Sequence, residues 1–106
     1  MPKYLFQGSY GPEGTKGLLK EGGTQRRANL EELLRKLGGR LEVFYYAFGE
    51  ADVIGIAELP DNATTTAVAL AINASGLVQV KTTVLMTPEE VDKAIKITVA
   101  YRPPGR

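Results

Sequence analysis

With no cysteine and no histidine among 106 residues, any chemistry this chain performs falls to carboxylates, amines, guanidinium groups and phenols. Thiol nucleophiles, disulfides, Cys/His zinc sites, histidine bases and histidine-ligated haem are excluded. Asp52 follows the turn-forming pair Gly49-Glu50. In a hairpin closed by that pair it lies diagonally from Tyr45, which would orient its carboxylate as a base or a ligand anchor. The simpler role, a carboxylate bonded to the amides of its own turn, is favoured because aspartate so often serves turns. Lys16, Lys20, Arg26 and Arg27 surround glycine-rich segments near the start of a helix, where they could hold an anion. A solvated basic face explains them more simply. Phe44, Tyr45, Tyr46 and Phe48 could line a pocket, although aromatic residues of a central hairpin more often form core or interface. Lys81 is a further polar candidate beside an apolar cavity. Glu50, Asp52 and Glu58 lack any spacing diagnostic of a hard cation, and neither a metal nor a cofactor is expected. Gly14-Thr15-Lys16 has the wrong order for a Walker loop.

The elements that would position these residues can be read from periodicity and punctuation. Tyr4–Tyr10 reads as a strand ended by Gly11-Pro12-Glu13-Gly14, while Thr15–Gly23 has room for a single helical turn. Leu30, Leu33, Leu34 and Leu37 recur at helical spacing after Thr24, a candidate N-cap, and Gly38-Gly39 provides a stop. Arg40–Phe48 and Ala51–Leu59 are β-type runs. A two-residue type II′ turn at Gly49-Glu50, with glycine at positive φ, would pair Tyr45 with Ile54 and Val43 with Ile56 on one side. Tyr46 then pairs with Val53 and Phe44 with Gly55 on the other, so both sides are apolar. Asp61 caps a helix rich in small residues that stops at Gly76, and Leu77–Met86 follows as a half-wet strand. Thr87-Pro88-Glu89-Glu90 is a capping box with proline at the first helical position. Val91, Ala94, Ile95 and Val99 give the helix behind it one apolar stripe.

The order β-α-β-β-α-β predicts an α+β, ferredoxin-like antiparallel sheet with helices on one face and a further C-terminal helix, residues 1–106 forming one domain. The uncovered face needs a partner. Phe44, Tyr46, Phe48 and Val53 are taken as that face, and the expected assembly is a homodimer or an assembly of dimers. A net charge of +1 provides no field for nucleic acid or an anionic membrane. The basic-aromatic signature of an RNA-recognition sheet is absent from Ala51–Glu58. No apolar run has the length of a membrane span, and Met1-Pro2-Lys3 leads into no secretory h-region. A cytoplasmic protein is the expectation.

Several segments carry a resemblance over essentially the whole chain. They are Gly17–Gly23, Leu37-Gly38-Gly39-Arg40, Pro60-Asp61-Asn62, Lys81–Leu85, Thr87–Asp92 and the closing Tyr101-Arg102-Pro103-Pro104-Gly105. Together they resemble the GYD-domain family, which is similar in fold to the dimeric α+β barrels, where two sheets pack face to face. In the motif that gives the family its name this chain reads Gly49-Glu50-Ala51-Asp52, with alanine where the tyrosine is expected. The resemblance implies fold more than activity. It leaves two functional readings: a non-catalytic domain that binds a small molecule, and a cofactor-independent enzyme acting on a small, partly apolar substrate.

Overall fold

The computed structural model describes all 106 residues. Its elements are β1 (Lys3–Tyr10), α1 (Pro12–Glu21), α2 (Gly23–Lys36), β2 (Arg40–Tyr46), β3 (Val53–Glu58), α3 (Asn62–Ala74), β4 (Val78–Leu85) and α4 (Pro88–Ile95). The four strands lie in the order β2-β3-β1-β4, and every neighbouring pair is antiparallel. This is the α+β, ferredoxin-like plan that the element order predicts, with one helix more than expected. The stretch assigned a single turn forms the ten-residue α1, seated by Pro12 in its first turn.

Gly22 separates α1 from α2 at φ 88°, ψ 153°, a region of backbone space open essentially to glycine alone. That conformation starts α2 at Gly23, with Gly22 in the N-cap position and no side-chain cap, so Thr24 is not the cap. The other end of α2 follows the sequence. Gly39 N–H donates to Leu34 O at 2.9 Å and Gly38 N–H to Arg35 O at 3.1 Å, the paired bonds of a Schellman motif, with Gly38 at φ 80°. Asp61 caps α3 by accepting from Thr64 N–H at 2.7 Å. That bond holds the Asp61 carboxyl below its usual pKa.

All four expected cross-strand pairs of the hairpin form, from Val43 with Ile56 to Tyr46 with Val53. The turn does not. Pairing between β2 and β3 stops at Tyr46 and Val53, and Phe48 rather than Gly49 takes the positive φ, at 52°. Asp52 is bonded on both sides: its N–H donates to Gly8 O at 2.8 Å and its carbonyl accepts from Ala47 N–H at 2.9 Å, while its carboxylate accepts from Tyr10 N–H at 2.8 Å. A six-residue loop, residues 47–52, takes the place of the tight turn. Left-handed backbone at Phe48 costs about 1–2 kcal/mol, offset in part by stacking on Tyr46 at 5.9 Å.

Strand register sorts the side chains onto two faces. Tyr4, Phe6, Gly8, Tyr10, Phe44, Tyr46, Val53, Gly55 and Ala57 share one; Leu5, Val43, Tyr45, Ile54, Ile56 and Leu85 share the other. A bulge between Leu41 and Val43 lets Leu41 join the first set although Val43 belongs to the second. Helices α2 and α3 cover the first face, and the core forms there from Tyr4, Leu34, Ala57, Leu59 and Val68. The expected partner surface is therefore corrected. Val53 is buried, Phe44 lies beneath the helices, and Tyr46 donates its hydroxyl to Gly23 O at the start of α2. Phe48 alone of the four is largely exposed. The uncovered face is the opposite one, where Tyr45 is 70% exposed. Along its edge Lys3 bridges Glu42 at 2.8 Å and Glu58 at 3.6 Å, while Arg40 meets Glu58 at 3.0 Å.

The C-terminal part departs from the domain. The capping box forms as expected, with Glu90 N–H donating to Thr87 Oγ1 and Thr87 N–H to Glu90 Oε1, both at 3.1 Å. Helix α4 nevertheless buries no residue, and Ile95, Ile97, Val99 and Tyr101 are all exposed. Val99 lies beyond the helix, so the expected stripe ends at Ile95. The chain measures 57 × 33 × 22 Å with a radius of gyration of 17.0 Å, against about 13 Å for a compact domain of this length. No helix is long and apolar enough to cross a membrane. Since α4 stands away from the sheet, Thr87→Ala is expected to act locally: loss of about 1 kcal/mol of cap should speed hydrogen exchange in α4 about fivefold. Amide exchange followed by NMR checks this, and unchanged α4 rates would refute it.

Candidate ligand-binding cleft

Two glycines create space beneath the helices. Gly8 on β1 and Gly55 on β3 lie on the covered face, where every neighbouring strand position carries a side chain. What their missing side chains leave is a chamber of about 60 Å³. Phe6, Phe44, Val53 and Val80 line its sheet side, and Leu30, Leu34, Val68 and Ile72 its helix side. A wider groove of about 570 Å³ adjoins it between α1, α2 and α3. Tyr10, Arg26, Val68, Ile72 and Val78 border both spaces, making them one cleft with a narrow apolar end and a broad mouth.

The elements around the cleft are held by specific contacts. At α1, Gly14 is buried, and a Cβ there would collide with the Leu77 carbonyl, so glycine permits the close approach of helix to chain. Gly11 N–H donates to the same carbonyl at 3.0 Å. On α3, Asn62 accepts from the buried Tyr4 hydroxyl at 2.7 Å, and Asn73 accepts from Val80 N–H at 2.7 Å. These bonds tie both ends of α3 to the sheet. Asp52, through the Tyr10 amide, fixes the end of β1 from which the Tyr10 side chain enters the cleft.

At the polar end Tyr10, Tyr46 and Arg26 come together. Burial, reinforced by the neighbouring Tyr10 phenol, pushes the Tyr46 pKa above its usual value, with Arg26 opposing the shift. Arg26 is half-buried and is the one charged residue lining the inner chamber.

Among the charged and polar candidates singled out by sequence, only Arg26 enters the cleft; of the hairpin aromatics weighed as a pocket lining, Phe44 alone lines the chamber. Lys16 bonds Glu13 at 3.3 Å on the outer side of α1, and Lys20 is exposed on the same helix. Arg27 pairs with Glu31 at 3.6 Å and borders only shallow surface depressions, together with Tyr45. Lys81 is exposed on the open sheet face. Asp52 borders none of these spaces; its carboxylate accepts from the Tyr10 amide at the end of β1 rather than from the amides of its own turn. The Tyr45–Asp52 pocket is thus replaced by one on the other side of the sheet. No group of three acidic residues that could hold a metal forms. Tyr10 and Ile72 escaped sequence reasoning, although Tyr10 has the parity of Tyr4 and Phe6.

The GYD domain model matches residues 4–95, spanning every strand and helix that shapes the cleft. The chain belongs to the GYD domain family. Comparison with curated proteins and with solved structures finds no match. In this GYD domain Ala51 is buried, with its carbonyl accepting from Gly49 N–H at 3.1 Å, and the adjacent Asp52 carboxylate accepts from Tyr10 N–H at 2.8 Å.

Proposed function

We propose that this GYD domain is a non-catalytic, oligomeric binding domain that takes up a small, largely apolar molecule in the cleft between the sheet and α2/α3. The observation carrying this reading is the glycine-floored chamber, an apolar space that opens to a groove and has a few polar groups at one end, the usual build of a ligand site. A Cβ at Gly8 would meet Val78 and Val53 at 3.5 and 3.6 Å, ordinary contact distances, so Gly8→Ala should fold while shrinking the chamber. A small apolar probe reaching from the groove into the chamber, such as toluene, should lose about tenfold or more in affinity on that change. Titration followed by amide NMR would show it, with wild-type shifts concentrated at Gly55, Val68 and Ile72. Shifts scattered over the surface, or equal affinity for both proteins, would refute the reading.

Assembly is supported by surface area. One chain exposes 7595 Å², whereas a compact monomer of 11.5 kDa exposes about 5,800 Å². The excess of about 1,800 Å² is more than the ~800 Å² that one partner contributes to a standard interface. Two features account for it: the open sheet face around Ile54 and Ile56, and the projecting arm of α4 and the residues after it. Leu5, Val43, Tyr45, Ile54, Ile56 and Leu85 make an apolar centre, and the Lys3–Glu58–Arg40 cluster a charged rim, the division found in protein interfaces. A second copy of the chain, apposing sheet to sheet, is the occupant this reading assigns.

A further inference from the structure

The geometry points to the class of molecule that the cleft accepts: a small monocarboxylate with a compact apolar body, its carboxylate held by Arg26. This inference rests on the cleft reading above and adds a charge to it.

Arg26 differs from the other arginines of the helices and strands. Arg27 pairs with Glu31, Arg35 with Glu32 and Arg40 with Glu58, yet Arg26 has no ion pair and donates no side-chain hydrogen bond. It is also half-buried. A guanidinium drawn partly out of water without a partner is unfavourable unless something of opposite charge joins it. Two carboxylates border the same outer groove, and neither pairs with it. Glu13 bonds Lys16 at 3.3 Å and Glu21 accepts from Asn29 at 3.1 Å. Neither borders the inner chamber. An incoming anion therefore passes the Glu13 and Glu21 carboxylates at the mouth and meets a single cation, Arg26, in the inner chamber, with the Tyr10 phenol in the same lining.

The size and polarity of the site restrict that anion. The guanidinium fork matches a carboxylate in two parallel bonds, and the adjoining space of about 60 Å³ suits a short branched chain, a ring having to extend into the neighbouring groove. A phosphate dianion would leave part of its charge uncompensated against an otherwise apolar lining, at a large desolvation cost.

Benzoate and 3-methylbutanoate, each beside its neutral primary amide, test the assignment when titrated into the full chain and followed by amide NMR. The expected result is that both acids bind at least about tenfold more tightly than their amides, with shifts at Gly8, Gly55 and Val68. Arg26→Gln should abolish that preference, the acids and their amides then binding with equal affinity, and Arg26→Lys should keep part of it. Amides that bind as tightly as the acids, or a preference that persists in Arg26→Gln, overturn the carboxylate inference and leave the cleft reading standing. Absence of shifts at those three residues with either class overturns both. Should Arg26→Gln fail to fold, acid against amide in the wild-type and Arg26→Lys proteins decides the matter.

Discussion

Ile54→Lys on the open sheet face should convert a dimer into a species near the single-chain mass of 11.5 kDa, with a dissociation constant raised at least about a hundredfold. In the proposed assembly Ile54 faces a second sheet, between Tyr45 on β2 and Gln7 on β1. A lysine there would place an unpaired ammonium in the apolar centre, which costs about 3–5 kcal/mol when no partner charge is available. The open face should tolerate the same side chain in the separated chain, because nothing of its own chain covers it. Tyr46→Glu makes the informative contrast. Tyr46 lies under the start of α2, bonded to Gly23 O at 3.2 Å and edge-on to Phe44 at 5.3 Å. A carboxylate at that position should unfold the domain rather than merely dissociate it. Light scattering with far-UV circular dichroism separates the outcomes. A wild-type monomer at micromolar concentration, or a dimer unaffected by Ile54→Lys, would remove the sheet-to-sheet assembly.

Gly39→Ala should destabilise the domain by about 3 kcal/mol, lowering the melting temperature by roughly 12–20 °C. A Cβ at Gly39 would collide with the Glu58 carbonyl and come within 2.8 Å of the Leu59 side chain. Both partners are held in place: Glu58 lies in β3, paired to β1 and β2, and Leu59 is fully buried. Neither can yield, so the end of α2 must move, and with it Leu30 and Leu34 on the helix side of the chamber. Gly38→Ala gives the scale. Gly38 has φ 80° but only Pro60, at 3.6 Å, near its Cβ position, so the change should cost only the 1–2 kcal/mol or so of a left-handed alanine. Equal melting temperatures for the two variants would show that close approach at Gly39 does not hold α2 on the sheet.

Much of this architecture was legible in the chain because it depends on neighbours in sequence. The Thr87–Glu90 box and the Asp61 cap need only three-residue spacing, Gly38-Gly39 ends a helix by its own backbone freedom, and the Val43–Tyr46 pairs follow from a connection centred on Gly49-Glu50, whose register survives although the two-residue turn does not form. The fold class followed from the order of these pieces. Tertiary structure decided which face is which. Phe44, Tyr46 and Val53 on one parity and Tyr45, Ile54 and Ile56 on the other are equally apolar, so local pattern gives the helices no reason to choose between them. Covering the first set requires Leu41 to cross over through the bulge and Tyr46 to bond Gly23 O at the start of α2, contacts between residues far apart in the chain. The same choice converts Gly8 and Gly55 from gaps in a strand into the floor of a cleft. It also sets Arg26 apart from Arg27 one position away, because adjacent residues on a helix point about 100° apart and only packing determines which of them meets the sheet.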